Sequence, residues 1–368
     1  MTPAGAPRIR VATLADTAVI AQLHQRNGMG NLDTVAWRER REACPFAEEF
    51  RNIPIGWVLE TDDGSVVGSL DNVHMLYDWG GKQIKAVIAA EWVVDQEYRG
   101  KSLQLMTTFF RQPGIDLWLN VSASPAAAQV LTAMKITRIP IPDYGTPCFW
   151  AVRPRAFARA ALLRKSIPGA ALLAWPVGLA LLARDICCRS GRGRPSSKVR
   201  RLREFDDRFD ALWHDINNGK RRLRAVRTKA VLEWRFRAQL RDGRAVIVVA
   251  EREGVLLGYS VLVRRRDSDP GSGVGMDLYD VADLQAAGDD RATIRDLLLG
   301  SIEIAREEGA DAVKLMSGAP VKRGPAEALQ PYSYRLPLWQ QYFKAASHVL
   351  AEDLSAADAW DFSWFDTF

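Results

Sequence analysis

The sequence is short of the residues that make metal centres and cross-links. It has four Cys and four His in 368 residues. Cys44, Cys148, Cys187 and Cys188 lack the paired spacing of a zinc site. Thiols this few and scattered do not form a disulfide framework, so a reducing compartment is expected. His24, His74, His214 and His348 stand apart in sequence, and no metal site is expected. The uncharged run at residues 167–183 is 17 residues long, short of the roughly 20 that a spanning helix needs. It is also broken by Pro168 and Pro176. The opening "MTPAGAPRIRVATLAD" has no apolar core of the kind a secretory signal carries. No helix-turn-helix, zinc-finger or RNA-binding signature is present, so nucleic acid is not an expected partner. These absences point to a cytoplasmic protein.

The composition is that of a globular chain, 48% apolar and 26% charged, with length enough for two domains. The net charge is +6. Its basic excess gathers between residues 184 and 229, in "RSGRGRPSSKVRRLR" and "GKRRLRAVR". Such a surface suits anionic partners or a solvated linker.

Periodicity divides the chain in two. In the first half "RIRVAT" reads as a strand. "DTAVIAQLHQRN", with Asp16 as its cap, and "LDTVAWRERREACPF" read as helices. Three antiparallel strands follow, joined by "DDG" and "DWGG" turns. A helix, the strand "IDLWLNVS", the helix "SPAAAQVLTAMK" and a closing strand pair in "RIPIPDYGTPCFWAV" complete it. After Lys198 the same order returns. Trp37-Arg38-Glu39-Arg40 matches Trp234-Arg235-Phe236-Arg237, and "ETDDGSVVG" matches "EREGVLLG". The reading is a duplication: 1–155, a linker at 156–197, and 198–368. Within the linker, residues 167–183 and their basic flanks suit either an interfacial membrane contact, peripheral at the inner face, or packing between the two domains.

The chemistry concentrates in "AEWVVDQEYRGKSLQLM". A Gly beside basic residues, where a strand turns into a helix, places unpaired backbone N–H groups and the positive end of a helix dipole together. That combination binds a phosphate. The element order and the string Glu97-Tyr98-Arg99-Gly100-Lys101-Ser102-Leu103-Gln104 resemble the GNAT superfamily of acyl-CoA N-acyltransferases. Ser102 and Gln104 stand at the family's two small-residue positions, and Gln104 departs from the pattern. The resemblance implies a mixed α/β fold, a mainly antiparallel sheet flanked by helices, in two tandem GNAT-like domains. It implies an acyl-CoA co-substrate, acetyl-CoA first among them. The N–H groups of residues 100–104 and the charges of Arg99 and Lys101 would hold its pyrophosphate. Trp92, Val93 and Val94, on a strand splayed from its neighbour, would hold its pantetheine arm. Glu91 is then the candidate base for the amine, with Asp71 and His74 as alternatives on the neighbouring strand. The family's helical Tyr, which serves as general acid, is replaced by Thr132, and Ser124 falls near its Asn position. Tyr144, Ser124 or water are the alternatives for the acid.

In the second half the equivalent turn reads "YDVADLQAAGDDRATIRDLL". Asp283, Asp289 and Asp290 would repel a phosphate, so the second domain is expected to have lost acyl-CoA. The acceptor is expected to be an amine on a small molecule or sugar, lying between the domains among Trp37, Trp57, Tyr77, Trp79, Trp234 and Tyr332. Two other readings fit: an aminoacyl-tRNA-dependent transferase of tandem GNAT-like fold, and a non-catalytic binding or membrane-associated module. Acceptor, acyl length and oligomeric state are left open.

Overall fold

The structure, a computed structural model, describes residues 6–192, 197–217, 221–269, 271–336 and 339–367. The first half runs β1 (Arg8–Val11), α1 (Thr17–Arg26), α2 (Thr34–Glu42), β2 (Gly56–Glu60), β3 (Val66–Trp79), β4 (Lys82–Val94), α3 (Ser102–Phe110), β5 (Leu117–Ala123), α4 (Pro125–Ala133), β6 (Thr137–Arg138) and β7 (Cys148–Ala151). A helical hairpin follows, α5 (Pro154–Arg164) and α6 (Ala170–Arg192). The second half runs β8 (Lys198–Leu202), α7 (Arg208–Asn217), β9 (Leu223–Ala225), α8 (Lys229–Arg241), β10 (Ala245–Arg252), β11 (Val255–Ser268), β12 (Gly275–Ala286), α9 (Arg291–Glu307), β13 (Ala312–Leu315), α10 (Pro320–Ala328), β14 (Tyr332–Ser333), β15 (Gln340–Ala345) and α11 (His348–Asp353).

Local chemistry sets most of these boundaries. Asp33 caps α2 by accepting from the Ala36 N–H at 2.9 Å, and Asp290 caps α9 through Thr293 at 2.8 Å. Such caps satisfy amides that a helix start leaves open. The β10–β11 turn places Glu253 and Gly254 at φ 52° and 83°, the left-handed pair that a two-residue hairpin needs. Asp16 behaves differently from the sequence expectation. Its carboxylate accepts from Thr13 and Arg10 and makes no side-chain cap to α1.

Two seven-strand paths result. One has the order β1-β2-β3-β4-β5-β15-β6, with β9 also pairing to β3. The other, read from its opposite edge, has the order β8-β10-β11-β12-β13-β7-β14. The orders correspond position by position, except that β7 and β15 have changed places. Trp150 of β7 pairs with Val313, and Phe343 of β15 pairs with Leu119. The expected closing pair in "RIPIPDYGTPCFWAV" is therefore split: β6 stays with the first sheet and β7 crosses to the second. Each sheet contains strands from both sides of the linker. One apolar core runs through both halves, including Leu119, Phe343, Phe236 and Trp360.

The linker hairpin lies elsewhere. Its α5 packs on the second sheet, with Ala160 against Met276 and Leu278, and α6 packs on the outside of α5. The interdomain-packing reading of residues 167–183 is thereby corrected. The helix lies against α5, and its Arg184 reaches the carbonyls of Gln330 and Pro331 in the second half. Cys187 is exposed. The side chain of Cys188 lies outside the described residues.

A buried ionic network joins β9 to the C-terminal segment. Arg224 donates to Asp361 at 2.6 Å and to Asp289 at 2.8 Å, and Arg227 to Asp283 at 2.9 Å. Lys322 lies 2.5 Å from Asp361. Burial alone would raise the Asp361 carboxyl, but Lys322 and Arg224 hold it well below the usual carboxylate range. A buried charge stripped of its partner is strongly destabilising, whereas an exposed pair contributes little. Arg224→Ala is therefore expected to lower unfolding free energy by about 3–5 kcal/mol. Arg201→Ala, which removes an exposed pair with Glu307, is expected to cost under about 1 kcal/mol. Urea unfolding of the two variants checks this; equal losses would show that the network adds nothing beyond surface pairing.

Candidate active site

The site is built where β4 and β5 part. They pair in parallel from Ala86↔Leu117 to Ala89↔Asn120, and pairing then stops although both strands continue. Among the described residues no strand or bridge enters the gap. On its other edge β4 carries a bulge: Asp71 pairs with Ala90 and Ser69 with Val93, which leaves one extra residue at 91–92. Glu91 takes φ 50° there. A side chain in the left-handed region costs on the order of 1 kcal/mol or more, so the bulge holds Glu91 in a conformation it would not choose.

An open cleft of about 430 Å³ occupies the gap. Trp92, Val93 and Val94 form its β4 wall, and Ser124, Ala127 and Val130 its α4 wall. Arg99 and Ser102 close one end, and Asn27 and Met29 another part of the rim. Residues 96–101 form a 3-10 turn that leads into α3. The Ser102 N–H donates inward to the Arg99 carbonyl, so it is not among the donors offered to the cleft. A Cβ at Gly100 would meet nothing within 4 Å, which leaves clear space in front of the turn. Gly100, Lys101, Leu103 and Gln104 do not line the cleft, and Gln104 is exposed. Asp95 anchors the turn by accepting from Arg26 and Asn27, each at 2.7 Å.

Glu91 sits under α1 and α2. Its Oε2 is buried and has no hydrogen-bond partner. Burial first, and the Asp71 carboxylate second, push its carboxyl up to about 7, against the pull of Arg40 and Arg41. Asp71 is buried and ion-paired with Arg41, whose guanidinium also lies 3.3 Å from the Trp37 ring centre. His24 is buried with its ring against the Glu91 backbone, and burial holds it below its ordinary value. His24 and Arg41 are not apparent from sequence as site residues, and Trp37 is apparent there only as a stacking surface. The signal was present: His24 shares the inward face of α1 with Ile20 and Leu23, and Arg41 lies one turn beyond Trp37.

Other sequence candidates fall outside the cleft. Tyr144 is 3% exposed in the core, edge-on to Phe362 at 4.9 Å, and burial with Asp366 and Asp280 raises its hydroxyl far above the ordinary range. It is not the acid for this cleft. His74 stacks on Phe50 and bonds the Pro54 carbonyl at 3.1 Å. Ser124 does line the cleft, and its oxygen also accepts from the Ala127 N–H at 3.3 Å as the α4 cap. Trp37, Trp57, Tyr77, Trp79 and Trp234 are core residues, not a stacking surface. Trp92 Nε1 and Asn120 Oδ1 are buried without partners; by register both belong to the residues around the crotch of the splay.

The second half repeats this geometry and fills it. Pairing of β12 with β13 ends at Val281↔Leu315, and β12 has its own extra residue opposite Val261–Leu262. The C-terminal segment enters there: Ser363 bridges Ser317, and residues 364–366 contact β12. The acidic turn is neutralised internally, Asp283 by Arg227 and Asp289 by Arg222 and Arg224, while Asp290 caps α9.

Because Glu91 holds a proton more tightly when folded, the sign of its pH effect is fixed. Between its ordinary value of 4.5 and about 7 the folded chain keeps a proton that the unfolded chain has lost, so stability falls as pH rises through that window. Glu91→Gln should match the wild type near pH 5 and exceed it near pH 8 by on the order of 1–3 kcal/mol. Thermal melts at both pH values check this, and a gap that does not widen with pH would rule out the raised carboxyl.

Comparison with solved structures places this architecture. The chain is similar to a GCN5-related N-acetyltransferase from Kribbella flavida, with 16% identity, TM-score 0.54, and 92% of this chain and 71% of the other covered. It is similar to a GCN5-related N-acetyltransferase from Anabaena variabilis at 12% identity and TM-score 0.53, covering 93% and 73%. Saccharomyces cerevisiae N-myristoyltransferase, solved with bound myristoyl-CoA and inhibitors, matches at 11% identity and TM-score 0.58, covering 93% and 80%. No protein-family model and no curated protein sequence matches the chain. At these identities the likeness shows the fold: this chain has the GNAT fold, with two such units in tandem.

Proposed function

We propose, starting from a tandem GNAT fold with one open splay and one filled splay, that this protein is an acyl-CoA-dependent N-acyltransferase whose first half is catalytic. The observation that carries the reading is the open gap between β4 and β5 beside a buried, strained Glu91. A thioester arm needs a slot with unpaired strand edge on one side, and the edge of β4 beyond Ala89 supplies it. Arg99 at the mouth and the clear space before Gly100 suit the phosphates. Acetyl-CoA is the first donor to test; the N-myristoyltransferase likeness makes a long acyl chain the second.

In this reading Glu91 takes a proton from the acceptor amine. The amine nitrogen then bonds the thioester carbonyl carbon, the C–S bond breaks, and the thiol leaves with one proton. A base poised near neutrality suits this task, and the unpartnered Glu91 Oε2 has room to accept a proton. The acceptor approaches from the α2 side. There a small cleft of about 50 Å³ lies between α2 and α8, lined by Arg40, Arg235 and Arg237. Burial, and then Arg40, pull Arg235 down to about 9. The cations at its rim suit an amine-bearing small molecule or sugar that also carries a carboxylate or phosphate.

Isothermal calorimetry with acetyl-CoA and with a long-chain acyl-CoA tests the donor. Micromolar binding is expected, weakened more than about tenfold in Arg99→Glu. Glu91→Gln is expected to keep that affinity while turnover drops by about 10²–10⁴, with loss of the rise in rate through about pH 7. Absence of binding to either acyl-CoA would remove the reading.

A further inference from the structure

The surface feature that acyl transfer does not use is α6. Over residues 170–187 its mean hydropathy is 1.6, yet only 17% of that stretch is buried. Leu172, Trp175 and Leu179 are 79%, 60% and 67% exposed, and Val177, Leu182 and Ile186 are exposed as well. Scattered apolar residues on a surface need no account, but a continuous row along about four turns does. The inward face is made of small residues: Ala170, Ala174 and Gly178. At Gly178 the helices come so close that a Cβ would lie 2.8 Å from the Arg155 Cα. Thus α6 is clamped lengthwise on α5, with its bulky side chains turned out.

Charge decides what covers that row. Residues 153–198 contain ten Lys or Arg and one acid, Asp185. The Arg155 guanidinium lies 3.5 Å from the Trp175 ring centre, which puts a cation beside the apolar row. Apolar side chains on one face with basic residues around them match a bilayer interface bearing anionic headgroups. The clamp on α5, the Pro176 within the helix and the contact of Arg184 with Gln330 and Pro331 set the helix parallel to the protein surface.

We infer that α6 is an in-plane membrane anchor that seats the protein on an anionic phospholipid bilayer, with Leu172, Trp175 and Leu179 in the interface. This inference is independent of the acyl-transfer reading. Its test is flotation of the full chain with vesicles of phosphatidylcholine containing phosphatidylglycerol, and with phosphatidylcholine alone. The expected result is flotation with the anionic vesicles, release by alkaline carbonate, and a loss of more than about tenfold in bound fraction for Leu172→Glu/Trp175→Glu/Leu179→Glu. Because those side chains are exposed, the triple variant should keep the wild-type thermal melt; a variant that melts early is replaced by the single Leu172→Glu, expected to weaken flotation. Failure of the folded wild type to float with anionic vesicles overturns the inference. So does retention after carbonate, which would mark a spanning helix. Dimerisation in light scattering that the triple variant abolishes, without any flotation, would assign the row to a second copy and overturn it equally.

Discussion

The exchange of β7 and β15 is the constraint on which the rest of the structure depends. A sheet strand leaves half its amides unsatisfied until a neighbour pairs with it. Here β5 obtains its outer neighbour only from the second half of the chain, and β13 obtains its own only from the first half. Neither half can complete its sheet alone. The exchange also bears on the site. β15 supports β5 from the side opposite the gap, and the Tyr342 hydroxyl lies 3.2 Å from Thr132 Oγ1 and 3.4 Å from the Ala128 carbonyl of α4. The wall of the open cleft is therefore held by residues more than 200 positions away in sequence. Thr132, which stands where the GNAT pattern has a Tyr, serves that support and does not line the cleft.

One architecture has been taken to two ends. Both halves have a bulged strand, a parallel neighbour that departs from it, and a carboxylate near the bulge. In the second half that carboxylate, Asp283, accepts from Arg227 and from the Tyr259 hydroxyl at 2.6 Å. Its charge is matched, and the C-terminal segment lies across the gap. In the first half Glu91 meets no such donor at Oε2, and the gap stays open. The acids of the second turn were legible as an obstacle to phosphate. Their actual role is structural, because Arg222, Arg224 and Arg227 come from an element that the hydropathy pattern does not mark.

What could be read from sequence was what local chemistry decides. The hairpins and the turn at Gly100 each depend on a few consecutive residues, and they formed where those residues stand; the cap expected at Asp16 did not, because Arg10 and Thr13 take its carboxylate. The element order then made the GNAT resemblance visible. What depends on partners far along the chain was hidden. β9 is three residues, "LRA", with no alternation to announce it, and it exists because β3 offers an edge. The strand "CFWA" reads the same whichever sheet accepts it. Tyr144 has the sequence surroundings of a surface turn, yet Phe362 covers it. Lone residues such as His24 gain meaning only when the bulge brings Glu91 against them.

The chemistry of the first half and the packing of the second meet in α2. One face of this helix brings Trp37, Arg40 and Arg41 over the acid. Arg41 neutralises Asp71, so that Glu91 meets a paired rather than a bare carboxylate. The other face rests on α8: Trp234 Nε1 donates to the Arg40 carbonyl at 2.7 Å, and Arg241 pairs with Glu39 at 2.7 Å. A buried carboxyl keeps a raised pKa only while its surroundings exclude water and hold their charges in place. That rigidity comes from α8, which belongs to the half that lacks an open cleft. The second half, whose own gap is filled, thereby fixes the electrostatic setting of the Glu91 carboxyl.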